Sequence, residues 1–256
     1  MANKNIFITG ATRNTGRAIA ETFAKAGYDV IVSSRDIESA TVAANEIEAA
    51  YGTKCMGVVL DLTDTNDIER VFGEIEAAYG KLDVFVANSA NLGVGKGSLN
   101  TTPEEFDDIM NVNARGTFFC CQKAAEIMKR TGGGNIVTIG SVQATAAVRG
   151  RLVYSMSKAA MSAMVKNLAF ELGEYNIRVN NLVAGAIHSN RWDDLDEETK
   201  AARRSRYPVG RESTEQEIAN GVYFLGSDMS SSTTGIDLLI DSGISICLLP
   251  YEKEGK

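Results

Sequence analysis

Short apolar runs rich in β-branched residues alternate along the chain with longer stretches whose apolar positions recur at helical spacing. Residues 6–9, 30–34, 56–60, 84–87, 136–139 and 179–183 are the strand candidates, and 17–26, 37–50, 68–78 and 159–172 carry helical periodicity. Strand–helix–strand repetition predicts parallel pairing, because parallel neighbours need a long crossover connection. No segment rich in Pro, Gly or Ser divides the pattern, and three prolines in the whole chain leave little scope for a linker. The pattern therefore predicts one doubly wound α/β domain over residues 1–256.

Two regions break the rhythm. Residues 189–211 are densely charged, with Arg191, Asp193, Asp194, Asp196, Glu197, Glu198 and Lys200 followed by Arg203, Arg204 and Arg206. Acids early and bases late suit the helix dipole, so one or two short helices inserted after a strand are expected. Such an insertion is either a solvated surface helix or a lid over a ligand crevice, where long insertions at the carboxyl ends of strands commonly lie. The second region, 244–251, is apolar ahead of a charged end, and an apolar tail is expected to be covered by its own domain or by another subunit.

Composition narrows the function. With 26 basic against 33 acidic side chains the formal charge is −7, which argues against a surface that tracks nucleic-acid phosphates. The one histidine, His188, excludes a multi-histidine zinc site, and no metal site is expected. Cys55, Cys120, Cys121 and Cys247 contain no Cys-x-x-Cys pair and are too sparse for a disulfide framework. The N-terminal apolar run is too short for a signal peptide, and no stretch approaches the length of a membrane span. A reducing cytoplasm is the expected location.

After the first strand, Thr9-Gly10-Ala11-Thr12-Arg13-Asn14-Thr15-Gly16 opens directly into a helix. Glycines there let the backbone approach a pyrophosphate seated on the helix N-terminus, although a plain β–α turn would read similarly. The turn resembles the Thr-Gly-x-x-x-Gly-x-Gly of the classical short-chain dehydrogenase/reductase family, with Asn14 at the middle glycine. Asn tolerates positive φ, so the turn is expected to survive. The resemblance runs from Asn5 to about Gly243, and implies a Rossmann fold with a central parallel sheet of about seven strands. Its closing strand is Thr234-Gly235 through Asp241-Ser242-Gly243, with Ser242 for a glycine.

At the second strand end, Ser33-Ser34-Arg35-Asp36, the cofactor is chosen. By bare spacing Asp36, 20 residues past Gly16, favours the ribose hydroxyls of NAD. The resemblance instead puts Ser34 at the NAD-selecting acid, with Arg35 beside it and Arg13 in the phosphate turn. Two arginines converging on a 2′-phosphate favour NADP(H) over NAD(H), unless both are simply solvated. Asp61-Leu62 falls where relatives hold adenine. Asn88-Ser89-Ala90-Asn91 resembles Asn-Asn-Ala-Gly, placing Asn88 and Ala90 near the cofactor, though Asn88 could equally steady a turn.

Tyr154-Ser-Met-Ser-Lys158 carries the chemistry. Residues four apart share a helix face, and a nearby ammonium is expected to lower the phenol pKa towards the working pH. Ser141 lies 13 residues before Tyr154, the family's spacing, and Asn113 in Asn111-Val-Asn113 matches the asparagine that helps hold a water beside the lysine. The resemblance thus implies Asn113, Ser141, Tyr154 and Lys158 as the catalytic set, with Lys158 also on the cofactor ribose. In Asn180-Asn181-Leu-Val-Ala184-Gly185-Ala-Ile187, Ala184 replaces a proline, which is expected to loosen the loop. Gly185, Ile187 and Ser189 would reach the nicotinamide, and His188 is a wall or surface residue rather than a base.

The expected activity is hydride transfer between NADP(H) and a small-molecule ketone, aldehyde or secondary alcohol. Residues 141–153, 92–99 and the charged insertion would wall the substrate pocket. Gln143, Arg149, Arg191 and Trp192 favour a sugar, polyol or other polar carbonyl. A 3-oxoacyl thioester or steroid-like ketone is the alternative, as is a nucleotide-binding regulator without turnover. Relatives are commonly tetramers, so a homo-oligomer, tetramer or dimer, is expected, with Ala159, Ala160, Met161, Ala163, Met164, Phe118, Phe119, Cys120 and Cys121 as interface candidates.

Overall fold

A computed structural model describes residues 3–93 and 97–247, apart from the side chains of residues 190 and 191. The expected pocket-wall segment 92–99 is thus described in part, the tail 244–251 only to Cys247, and the Arg191 side chain lies outside the described residues.

Seven strands form one parallel sheet: β1 Asn5–Ile8, β2 Asp29–Ser34, β3 Cys55–Val59, β4 Val84–Ala87, β5 Gly134–Ser141, β6 Ile177–Ala184 and β7 Asp237–Ile240. Their order across the sheet is β3-β2-β1-β4-β5-β6-β7. Strand order reverses between β1 and β4, and open α/β sheets place their ligand crevice beyond the carboxyl ends at such a switch point. Both faces are covered. Ile6 and Ile8 pack towards α1 (Asn14–Lys25) and α9 (Glu215–Gly226), whereas Phe7, one residue out of phase, packs towards α3 (Thr65–Tyr79) and α5 (Thr117–Thr131). Burial on both faces explains why the strands read as continuous apolar runs rather than alternating ones.

The other helices are α2 (Ile37–Tyr51), α4 (Pro103–Met110), α6 (Leu152–Leu172), α7 (Asn190–Asp193) and α8 (Glu197–Arg204). Asp36 caps α2, Asp64 caps α3, and capping boxes start α4 (Thr102/Glu105) and α9 (Thr214/Glu217). The insertion is the two short helices expected, with Glu197 and Glu198 in the first turn of α8 and Arg203 and Arg204 in its last. Between α4 and α5 the helix widens into a π-helical segment, Asn111–Gly116. Such irregularities favour functional positions, and this one carries Asn113. No helix among the described residues is long and apolar enough to cross a membrane.

Ala184 stays in β6, in register with Ser141 on one side and Ile240 on the other, because an alanine in place of proline can continue the ladder. Among the interface candidates, Cys120, Cys121 and Met161 are core residues, 0–2% exposed, and cannot meet a partner.

Candidate active site

The phosphate end of the crevice is built on Thr9. Its buried hydroxyl accepts the backbone N–H groups of Asn88 and Ser89, both at 3.0 Å, tying the end of β4 to the glycine turn. The Asn88 amide donates to the carbonyls of Thr9 (2.9 Å) and Gly10 (3.0 Å), so Asn88 steadies the turn from behind. Closeness makes the glycines necessary: a Cβ on Gly16 would lie 2.3 Å from the Gly10 carbonyl oxygen, and one on Gly10 would lie 2.4 Å from Ser89 Oγ. Asn14 holds the left-handed backbone that the turn demands, with φ 52°.

The donor set suits a dinucleotide. Helix α1 has no side-chain cap and no acid in its first turn, unlike α2, α3, α4 and α9, so its leading end favours an anion. Thr12 and Arg13 precede them and Thr15 lies within that first turn. At β2, the Asp36 carboxylate accepts from Ser39 N (2.8 Å) and Ser39 Oγ (2.6 Å), which holds its pKa below the usual carboxylate value. Both bonds fall on Oδ2, so Asp36 serves as the cap of α2 while its side chain stays exposed at the end of β2. Ser34 ends β2 and Arg35 follows it; Arg35 and Arg13 are both exposed. Asp61 is exposed and its Oδ1 accepts from Thr63 N and Oγ1, and Leu62 belongs to the core beneath.

Ser141, Tyr154 and Lys158 come together at the carboxyl end of β5. Ser141 ends β5 and hydrogen-bonds the Tyr154 phenol, while its own oxygen also accepts from Gln143 N. Lys158, one turn beyond Tyr154 on α6, is 2% exposed; its ammonium donates to the Ile139 carbonyl at 2.7 Å and lies 5.7 Å from the Tyr154 ring centroid. Burial pushes the Lys158 pKa down to about 8. Burial also outweighs the charges around Tyr154, whose pKa lies above the ordinary phenol value, opposite to the direction that the Tyr-x-x-x-Lys spacing suggested. The Ser141 hydrogen bond and the positive charge of Arg151 pull it back.

Asn113 is fully buried. Its Oδ1 accepts from Asn91 N (2.7 Å), and its Nδ2 donates to the Asn91 carbonyl (2.8 Å) and to Ser157 Oγ (3.0 Å). The side chain thus pins the loop after β4 to α6. Asn91, where relatives have glycine, adds its own turn by accepting from Gly93 N at 3.1 Å. Sequence reasoning passed over Thr9, Ser157 and Arg151; the last, three residues before Tyr154, had a helical-spacing signal that could have found it.

Beyond β6, Gly185 donates to the Ile240 carbonyl, Ile187 bridges to Ser213, and the Ser189 carbonyl accepts from Trp192 N. His188 Nδ1 lies 2.7 Å from Glu212 Oε1, Arg204 donates to both oxygens of the same carboxylate, and His188 Nε2 is 3.2 Å from Asp193. Glu212, with its side chain only 3% exposed, has its pKa pulled down to about 2, chiefly by Arg204 and despite burial. Trp192 is buried between His188 and the guanidiniums of Arg203 and Arg204, so it forms the small core of the insertion. Gln143 Oε1 is buried without a partner, and Arg149 is exposed.

A parallel sheet with a phosphate-ready turn at its switch point, and a serine, tyrosine and lysine gathered at the carboxyl ends of its strands, define a nicotinamide-dependent oxidoreductase. The chain belongs to the classical short-chain dehydrogenase/reductase family. A family model described as Enoyl-(Acyl carrier protein) reductase matches residues 10–245. The 3-oxoacyl-[acyl-carrier-protein] reductase FabG of Aquifex aeolicus is 34% identical over 244 residues, covering 95% of this chain and 98% of that one. The FabG of Thermotoga maritima is 34% identical over 248 residues, covering 96% and 99%. Among solved structures, a short-chain type dehydrogenase/reductase from Mycobacterium marinum superposes with a TM-score of 0.86 at 30% identity, covering 95% of each chain.

Proposed function

We propose that this oxidoreductase uses NADPH to reduce a 3-oxoacyl thioester to the 3-hydroxyacyl thioester. The observation that carries the reaction is Tyr154, held by Ser141 and one turn from Lys158 at the end of the crevice. The relatives of 34% identity named as 3-oxoacyl reductases support this substrate class over the sugar or polyol favoured by Gln143 and Arg149. Arg13 and Arg35, exposed at the adenosine end, together with the capping role of Asp36 on α2, support NADPH over NADH.

A bound nicotinamide supplies the hydride. Tyr154 donates the proton to the carbonyl oxygen as the hydride reaches carbon, and the Ser141 hydroxyl donates a hydrogen bond to that oxygen as charge develops. Lys158, charged at neutral pH, biases the phenol and holds the ribose. Asn113 keeps the Asn91–Gly93 loop against α6, so the pocket wall stays in place. Gly185, Ile187 and Ser189 line the nicotinamide end, with Thr12, Asn14, Thr15 and Gly16 around the pyrophosphate and Asp61, Leu62 and Ala90 around the adenosine. Residues 189–211 act as a lid.

The proposed assembly is a homo-oligomer formed on α6 and β7. Ala159, Ala160, Ala163 and Phe170 form an exposed stripe on α6, and Ser162 bonds Asp237 of β7, whose Leu239 is 46% exposed. An exposed apolar edge strand is a template for pairing. A monomer by sedimentation would remove this element of the proposal.

The deciding experiment is consumption of NADPH, with NADH in parallel, against acetoacetyl and longer 3-oxoacyl thioesters, keto-sugars and steroid ketones. Rapid NADPH oxidation with the thioesters alone is expected. Turnover confined to keto-sugars, or equal use of NADH, would overturn the substrate or the cofactor assignment respectively.

A further inference from the structure

We propose that Arg151 is a positioning residue for the proton donor: set against the Tyr154 ring and anchored on the Leu92 carbonyl, its guanidinium fixes the protonation range of the phenol. The proposal rests on the reading of Tyr154 as the group that moves the proton.

Three residues before Tyr154, at the start of α6, Arg151 falls on the same helix face. Its guanidinium carbon lies 6.0 Å from the Tyr154 ring centroid, and its Nη1 donates to the Leu92 carbonyl. That carbonyl belongs to the loop that Asn113 already holds at Asn91, so the cation is fixed from two elements rather than swinging in solvent. Arg151 also lines a cavity of ≈ 180 Å³ with Asn91 and Gly93 of this loop and with Glu105, Asp108 and Ile109 of α4.

The other groups beside the phenol are Lys158 and the Ser141 hydroxyl, while the carboxylates of Glu105 and Asp108 share with Arg151 the lining of the cavity. Lys158 donates to the Ile139 carbonyl and the Met161 sulfur, and burial pushes its pKa down to about 8. A guanidinium keeps its charge throughout the working range. In the alkaline region, where proton donation by a phenol fails, Arg151 is therefore the permanent positive charge on α6 beside Tyr154. A cation there favours tyrosinate, so its removal moves the titration upward.

The test is the pH dependence of kcat/KM in both directions for the wild type, Arg151→Gln and Arg151→Lys. Gln retains an N–H donor for the Leu92 carbonyl without the charge, and Lys retains the charge. In R151Q the alkaline limb of reduction moves up by about 0.5 to 1 unit. Alcohol oxidation, which needs tyrosinate, falls roughly three- to tenfold near neutral pH and recovers at high pH. R151K keeps the wild-type limb. An unshifted limb in R151Q, or equal shifts in R151Q and R151K, would overturn the proposal and leave Arg151 a strut for the loop. Arg151→Met, which also removes the charge, replaces R151Q if that variant does not fold. Absorbance titration of tyrosinate, corrected with Tyr154→Phe, reads the same shift without turnover. Absence of turnover with a normal spectroscopic shift would count against the assigned reaction, whereas turnover without a shift would count against Arg151.

Discussion

Two polar residues adopt left-handed backbone at places where relatives carry glycine: Asn14, φ 52°, and Ser242, φ 55°. Their energetics differ. Asn visits this region readily, whereas Ser meets the usual clash between Cβ and the following carbonyl. Ser242→Gly is therefore expected to raise unfolding stability by about 1 kcal/mol in a denaturant titration, while Asn14→Gly changes it little. A loss of stability in S242G would mean that the Ser242 hydroxyl, 3.4 Å from that of Ser213, matters more than the backbone. At this scale the proposed catalytic set could be named from the sequence because Tyr154 and Lys158 are related by helical spacing and Ser141 by a short fixed interval. Thr9 and Arg151 could not: Thr9 acts on residues 79 and 80 positions away and Arg151 on a carbonyl 59 positions away, and no local pattern announces such contacts. The phenol pKa was misjudged for a related reason, since spacing reveals a neighbouring charge but not the burial that outweighs it.

The element proposed to link chemistry to access is the insertion carrying α7 and α8, fastened through Glu212. This carboxylate joins Arg204 at the end of α8 to His188, whose flanking residues line the proposed nicotinamide site. The Glu212 hydrogen bond raises the His188 pKa above 6.5, so the charged form of the latch contributes below that pH and is lost as pH rises through the folded value. Glu212, at about 2, stays ionised across this window. Hydrogen exchange of α8 amides, corrected for intrinsic rate, should therefore show opening that increases about threefold from pH 6 to pH 8.5, as suits a half-exposed pair. In Glu212→Gln the opening should be larger at both pH values and nearly independent of pH. Opening in the wild type that ignores pH would remove His188 from the latch. The two short helices were legible from their charge order, acids then bases, but Glu212 was not, because it lies outside the charged run and acts only through the fold.

Across the whole molecule, the alternation of β-branched runs and helical periods sufficed for the parallel sheet, since burial on both faces leaves the strands no polar side to confuse the pattern. Six predicted strands end within two residues of the observed ones, and the seventh, exposed on one side as Leu239 shows, came from the family resemblance. Substrate class was not legible from the fold, because loops at the carboxyl ends of strands decide it and the same sheet serves many chemistries. The sheet order puts the uncapped α1, the Arg35 end of β2 and the Tyr154 helix at the carboxyl ends of the strands, so the proposed phosphate site and the proposed proton donor lie on different elements. Tyr154→Phe tests this most directly, by NADPH affinity and by 3-oxoacyl thioester reduction in the same preparation. The account predicts an affinity close to wild type, with kcat/KM lower by roughly 10²- to 10⁴-fold. Turnover retained within tenfold of wild type would contradict Tyr154 as the proton donor.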